Sequence, residues 1–154
     1  MPFVIIIILC LIWHGIKKVI MSDIKEKNDI RMYNSSNYKE TAFNMRVREL
    51  NLNLDKAIKV LVLPKGDPQW GRYVYLWHED GALAMFFSTE TVGDCELTSS
   101  PREWDVTYTE KSMIEGLYNR NNYCQINFKD GSNAKFGKLE YEKIKELLTT
   151  SGLI

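Results

Sequence analysis

Histidine and cysteine are scarce in this chain of 154 residues, which contains two histidines and three cysteines. The histidines are His14 and His78, and the cysteines are Cys10, Cys95 and Cys124, with no Cys-x-x-Cys pair among them. Structural zinc sites need four grouped thiolate or imidazole ligands, so the sequence argues against one. An odd number of irregularly spaced cysteines argues against a disulfide framework. Free thiols are typical of a reducing compartment.

The chain also lacks an excess of either charge, with 20 Lys/Arg and 20 Asp/Glu. A basic stripe is the first sign of a nucleic-acid-binding protein, so no nucleic-acid partner is expected. The charge is uneven, because residues 64–110 contain three basic and nine acidic side chains. An acidic surface repels phosphates and attracts cations or basic partners, although a solvated face is the simplest interpretation. The expected partner is an unidentified protein.

Motifs that define common reactions are missing. Residues 64–71 (PKGDPQWG) match neither a P-loop nor a G-x-G-x-x-G turn. Nothing beside Cys95 or Cys124 resembles a nucleophile motif. The sequence therefore predicts no catalytic residue and no cofactor. One alternative stays open, a small metal-assisted hydrolase, because paired carboxylates can bind Mg²⁺ or Ca²⁺. Its acidic cluster would be Glu79, Asp80, Glu90, Asp94 and Glu96.

An apolar run begins the chain, with eleven consecutive apolar residues from Phe3 to Trp13. A spanning helix usually needs about 20 such residues, and roughly 17 at the least. A span would therefore require local thinning of the bilayer and snorkelling of Lys17 and Lys18. Trp13 stands where an interfacial aromatic residue belongs. We predict a membrane anchor over residues 1–21 that contacts lipid through residues 3–16. Its characteristic residues are Phe3, Ile8, Trp13, Lys17 and Lys18.

The basic pair follows the apolar run, which predicts the orientation of the anchor. By the positive-inside rule, the N-terminus lies outside and the rest of the chain in the cytoplasm, giving a single-pass protein of the cell membrane. A cleaved signal peptide is a second interpretation, but no Lys or Arg precedes the run and no small-x-small site follows it. Residues Met21-Ser22-Asp23 resemble an ordinary start, so a soluble protein beginning at Met21 is a third.

Helical spacing follows a polar stretch, residues 22–37, which reads as a linker or weak helix. Apolar residues then recur at steps of three and four, which predicts a helix over residues 38–62. This stripe consists of Phe43, Val47, Leu50, Leu54, Ile58 and Leu61. Pro64 and Gly66 end the helix, and a break is expected near Asn51–Asn53.

Strand patterns replace the helical spacing after Pro64. Residues 72–78 and 82–88 flank an Asp-Gly turn, and residues 123–128 and 134–136 flank a second one, so two hairpins are predicted. Short strands are expected at 92–97 and 104–109, and an amphipathic helix at 139–150. The predicted fold class is α+β: a helical segment and a small antiparallel bent sheet or partial barrel closed by a C-terminal helix. This domain covers residues 38–154.

Aromatic residues are concentrated in the first hairpin. Period-two spacing places Tyr73, Tyr75 and Trp77 on one face of the sheet, which a half-buried strand would direct toward the core. Exposed aromatics also favour interfaces, so the same residues could contribute to a binding platform. The predicted interaction surface consists of Trp70, Tyr73, Glu79, Asp80 and Trp104.

Two stretches, residues 75–87 and 126–132, together with the helix from Leu139, resemble the terminal strands and helix of bacterial pleckstrin-homology-like domains. Small single-span membrane proteins of Firmicutes have a similar layout, and the resemblance covers residues 70–150. It implies binding or scaffolding rather than catalysis. Eukaryotic relatives bind phosphoinositides through basic residues in the first hairpin, but here that hairpin contains His78, Glu79 and Asp80. Inositol-phosphate binding is therefore not expected, and the leading expectation is a membrane-anchored cytoplasmic interaction or regulatory module without catalytic activity.

Overall fold

A computed structural model describes residues 2–34, 36–95 and 104–154. In these ranges, two helices precede an antiparallel sheet of seven strands, and a third helix ends the chain. The helices are α1 (Pro2–Asn34), α2 (Ser36–Glu49) and α3 (Tyr141–Thr150). The strands are β1 (Ile58–Val62), β2 (Gly71–Glu79), β3 (Ala82–Val92), β4 (Thr107–Glu110), β5 (Ile114–Asn119), β6 (Tyr123–Phe128) and β7 (Asn133–Gly137). The predicted α+β class is confirmed.

Neighbouring strands in the sheet follow the order β4-β3-β2-β1-β7-β6-β5. Both predicted hairpins are present, as β2–β3 and β6–β7. Asp80 and Gly81 form the first turn with positive φ angles of 49° and 77°, the combination that a tight two-residue hairpin turn requires. Local turn chemistry therefore sets the register of the first hairpin.

The sheet is bent, because its two edge strands follow each other in the chain. A flat sheet would separate β4 from β5 by about 29 Å, at about 4.8 Å per strand. They are joined only by a 3-10 turn, Lys111–Met113, and a link of that length reaches about 14 Å. Backbone hydrogen bonds tie this link to both hairpin turns, from Lys111 N–H to the Gly81 carbonyl (3.4 Å) and from Lys129 N–H to the Met113 carbonyl (2.9 Å). In the described ranges β4 and β5 do not pair, so the sheet is not closed into a barrel.

The inner face of this bent sheet packs against α3. Alternate residues of the strands point inward, and α3 covers them with Ile144 and Leu148, both fully buried. The buried strand residues on this face are Val60, Val74, Leu76, Leu83, Ile114, Cys124, Ile126 and Phe136. Burial of aliphatic and aromatic side chains is the main stabilising term in folding, so this cluster is the principal core.

The outer face of β2 and β3 packs against α2. Phe43 of α2 lies 6.0 Å from the Tyr75 ring, 5.8 Å from Phe86 and 6.2 Å from Trp104, measured between ring centroids. Val47 and Leu50 pack on the same cluster. The Arg46 guanidinium donates a hydrogen bond from Nε to the Trp104 carbonyl (2.5 Å), which fixes α2 to the segment before β4. The predicted stripe of α2 is therefore used for packing.

The prediction of one helix over residues 38–62 is wrong in its second half. Helix α2 ends at Glu49, Asn51 has a positive φ of 52°, and Ile58–Val62 is strand β1. Apolar residues also alternate in this segment, as they do in a strand. Pairing of β1 with β2 on one side and β7 on the other leaves Val60 fully buried. Packing between strands outweighs a helical spacing that is only local.

Other boundaries also differ from the predictions. Residues 22–34, expected to be a linker or weak helix, continue α1. β3 continues to Val92, β4 begins at Thr107, and residues 96–97 of the predicted third strand lie outside the described ranges. The strand Ile114–Asn119 was not predicted, because Gly116 and Asn119 interrupt its alternation.

Residues 8–21 of α1 are mostly apolar and exposed. Their large side chains from Ile8 to Met21 contact solvent, and Leu11 and Trp13 are 68% and 69% exposed. Within the described ranges, no helix combines the length and the apolar character needed to cross a bilayer.

Candidate functional site

The five residues of the predicted interaction surface lie in separate places. Trp70 is in the loop between β1 and β2, and Tyr73 is on the outer face of β2. Glu79 and Asp80 are at the first hairpin turn. Trp104 is only 5% exposed, because Phe43 and Phe86 pack against its ring. Its side chain therefore belongs to the cluster between α2 and the outer face of the sheet rather than to a surface. The structure therefore does not bring these five side chains together.

The Glu79 carboxylate has a structural role at the first hairpin. It accepts hydrogen bonds from Trp77 Nε1 (3.0 Å) and from the Tyr108 hydroxyl (3.1 Å). Strand register brings these two donors together, because Trp77 and Tyr108 are both paired with Ala84. Partial burial, followed by the hydrogen bond and the charge of Glu79, raises the pKa of Tyr108. Two of the carboxylate's hydrogen-bonding positions are thus used within the protein.

The predicted acidic cluster is divided between the two ends of β3. Glu79 and Asp80 precede the strand, whereas Glu90 and Asp94 lie at its far end. Eight strand residues extend about 26 Å, too far for carboxylates to share one ion. Glu90 is ion-paired with Lys59 (2.6 Å), and Glu96 is outside the described ranges. In the part of the chain that the structure describes, no three acidic, histidine or cysteine side chains are grouped to hold a metal.

Four basic side chains lie in segments that meet beside strands β1, β6 and β7. They come from three loops with their flanking strand residues, 63–70, 119–123 and 135–140, which we call the cationic end, and Lys135 itself lies in β7. The basic residues are Lys65, Arg120, Lys135 and Lys138. Three of them lie over aromatic rings: Lys65 over Trp70 (4.6 Å), Lys135 over Tyr123 (5.1 Å) and Arg120 over Tyr118 (5.5 Å). A cation over a ring face is attracted by the ring quadrupole.

Contacts between the loops make the cationic end one surface. Gly66 has a positive φ of 71°, and a side chain there would lie 3.4 Å from Cδ of Lys135. Lys138 Nζ donates a hydrogen bond to the Asn121 carbonyl (2.9 Å). The ion pairs found in the described ranges join Arg46 to Glu49, Lys59 to Glu90 and Lys143 to Glu140, and none involves the four cations. Residues 119–123 also line a shallow polar depression of about 410 Å³.

Sequence reasoning missed the cationic end because its members are far apart in the chain. Lys65 and Lys138 are separated by the whole sheet, and residues 64–110 are acidic on average. A local signal did exist for two of the cations. Lys65 and Arg120 lie within five sequence positions of the aromatic residues that they contact, Trp70 and Tyr118. Only the pairing of β1 with β7 brings the loops together.

Cys124 lies on the inner face of the sheet and is fully buried. Its Sγ is 3.5 Å from the Gly137 carbonyl, to which it donates. Burial raises the pKa of the Cys124 thiol to about 11. A reactive cysteine needs a thiolate, so this side chain serves packing rather than nucleophilic chemistry.

The predicted anchor residues lie on α1. Ile8 and Trp13 are exposed apolar side chains, and Lys17 and Lys18 are exposed as well. The side chain of Phe3 lies outside the described part of the chain. Comparison of the chain with known protein families, curated proteins and solved structures finds no match.

Proposed function

We propose that this chain is a membrane-attached interaction module. Residues 3–16 of α1 would enter a bilayer, and the α+β domain would bind a protein partner in the cytoplasm. The observation that carries the proposal is the exposure of large apolar side chains over residues 8–16 of α1. These include Ile8, Leu9, Leu11, Ile12, Trp13 and Ile16.

Exposure around the whole helix is the reason to infer lipid rather than core packing. Successive residues of a helix are rotated by about 100°, so Ile8 to Trp13 cover every side of α1. A helix that is apolar on all sides is stable when it is surrounded by an apolar medium. Each fully buried large apolar side chain contributes roughly 1.5–3 kcal/mol, so five or six are enough for attachment.

The second part of the helix suits the membrane interface. Ile16, Val19, Ile20 and Ile24 are exposed and repeat at steps of three and four, as one face of a helix does. Lys17 and Lys18 can extend their ammonium groups toward lipid phosphates while their stems remain in apolar surroundings. In its single-pass form, the proposal places the N-terminus outside, because these lysines follow the apolar run.

The domain contributes the interaction part of the proposal. Its antiparallel sheet followed by a closing helix is the layout that the resemblance to pleckstrin-homology-like domains implies, and that resemblance favours binding over catalysis. The cationic end supports the same function, because it presents four basic side chains that the described ion pairs do not neutralise.

Membrane fractionation with a carbonate wash tests the proposal. The full chain should remain in the washed membrane pellet, whereas the triple variant Ile8→Gln, Ile12→Gln, Ile16→Gln should move to the supernatant. A matched control replaces three exposed apolar residues of the remainder of the chain, Met45→Gln, Met113→Gln and Ile154→Gln, and should stay in the pellet. Release of the unaltered chain by the wash would refute stable attachment.

Protease protection then distinguishes the modes of attachment. In sealed inverted vesicles a cytoplasmic domain is digested, whereas protection of residues 36–154 would contradict the proposed side. A tag at the N-terminus that is protected in the same vesicles indicates a spanning helix. A tag that is digested indicates a helix lying in the interface and overturns the single-pass form.

A further inference from the structure

The cationic end has a net positive charge in the folded protein. Its three loops contain four Lys/Arg against two Asp/Glu. One of the acids, Glu140, is paired with Lys143 (3.1 Å), and the other, Asp67, accepts a hydrogen bond from the Gln69 N–H (2.9 Å). The hydrogen bond leaves the charge of Asp67 in place, and Asp94 lies next to this loop because Gly93 packs against Gln69. The cations Lys65, Lys135, Arg120 and Lys138 still outnumber these acids. A surface of this kind attracts anions over about a Debye length.

An almost fully exposed leucine lies in the same segment as Lys138. Leu139 follows Lys138 directly and is 93% exposed, more than any other large apolar residue in the described ranges. The neighbouring aromatic rings, Trp70 and Tyr123, are half-buried and lie beneath lysine ammonium groups. Tryptophan and tyrosine beside basic residues are enriched where proteins meet lipid headgroups, because one part of each ring is apolar and the other polar.

We propose that the cationic end is a second membrane contact, which docks on an anionic bilayer surface with Leu139 entering the interface. This inference rests on the membrane attachment proposed above, because α1 would keep the domain close to lipid at high effective concentration. The four cations would contact headgroup phosphates, and each basic residue near such a surface contributes a similar increment. An acidic protein is the other occupant that the charge would suit, but it does not explain an isolated exposed leucine.

The test uses the full chain with its attachment through α1 weakened, so that the cationic end is measured by itself. The background protein has Ile8→Gln, Ile12→Gln, Trp13→Gln and Ile16→Gln, all exposed positions of α1. Its partition onto phosphatidylcholine vesicles is compared with that onto vesicles that also contain phosphatidylglycerol. The expected result is binding only to the anionic vesicles, which decreases as salt is added.

Two triple variants of this background then locate the contact. Lys65→Gln, Arg120→Gln and Lys138→Gln should lower the partition constant roughly a hundredfold, at roughly fivefold per basic residue. The matched control, Lys111→Gln, Lys129→Gln and Lys145→Gln, removes the same charge from exposed positions elsewhere. It should change the constant much less. Equal losses in the two variants would show only a general charge effect and would overturn the inference.

A variant of Leu139 tests the apolar part of the proposed contact independently. Leu139→Asn should weaken binding several-fold at both low and high salt, whereas Met113→Asn, another exposed apolar residue, should not. Thermal unfolding of every variant checks that the fold is retained. The inference fails, and the attachment by α1 stands, if the background protein does not bind vesicles that contain phosphatidylglycerol while the unaltered chain still binds phosphatidylcholine vesicles. If the unaltered chain binds neither, the attachment fails.

Discussion

The two faces of the sheet are buried in different ways. The inner face is enclosed by the bend of the sheet and by α3, and its residues Val60, Ile126, Phe136 and Ile144 are 1% exposed or less. The outer face of β2 and β3 is covered by α2 and by the segment before β4. Phe86 and Trp104 are buried there, but Phe43, Tyr75 and Trp77 remain half-buried. An enclosed face contributes to global stability, whereas a face that is only partly covered can open locally. The comparison predicts that α2 opens at a lower free energy than the elements of the inner face.

The largest expected effect comes from the inner face. Phe136→Ala should lower the free energy of unfolding by about 3–5 kcal/mol, because it leaves a cavity where β1, β6 and β7 meet. Chemical denaturation measures this change. Leu139→Ala, a few residues away and exposed, is the control and should have almost no effect. A small loss for Phe136→Ala would mean that the inner face can collapse around the missing ring.

A smaller effect is expected on the outer face. Phe43→Ala removes the ring that contacts Tyr75, Phe86 and Trp104, and should cost about 2–3 kcal/mol, below the range for a fully buried ring. Hydrogen exchange should show faster opening of α2 while β6 remains protected. Met45→Ala, on the exposed side of α2, should leave the exchange unchanged. Equal acceleration in β6 would contradict the idea that the two faces open separately.

The smallest effect concerns the pH dependence of stability and a thiol on the inner face. The pKa of the Cys124 thiol is raised from 9.0 to about 11 by burial, so the folded state favours the neutral thiol. Its contribution to stability is complete below pH 9 and is lost as pH rises toward 11, with roughly 1 kcal/mol lost at pH 10. Cys124→Ala should unfold with a shallower alkaline decrease than the unaltered chain. Cys95→Ala is the control, and a decrease as steep in Cys124→Ala would exclude this thiol as the source.

Features with a local cause were predictable from residue order. The hairpins at Asp80-Gly81 and Asp130-Gly131 follow from turn chemistry, and the closing helix follows from its apolar spacing. The helical stripe of α2 was also predicted, as far as Leu50. The same spacing was misleading at Ile58–Val62, because a short segment can satisfy a helical and a strand pattern at once and only pairing with β2 and β7 decides between them.

The candidate surfaces were the least predictable part. Trp104 was expected at a surface and lies under Phe43, while the cationic end was not foreseen at all. Burial and charge clustering depend on which distant segments come into contact, and the order of neighbouring residues does not show this. By itself the sequence determined the apolar start of the chain, the two hairpin turns and the closing helix, since each depends on neighbouring residues. The tertiary structure alone decided the strand at Ile58–Val62, the bend of the sheet and the gathering of four basic side chains, since each depends on pairing between residues far apart in the chain.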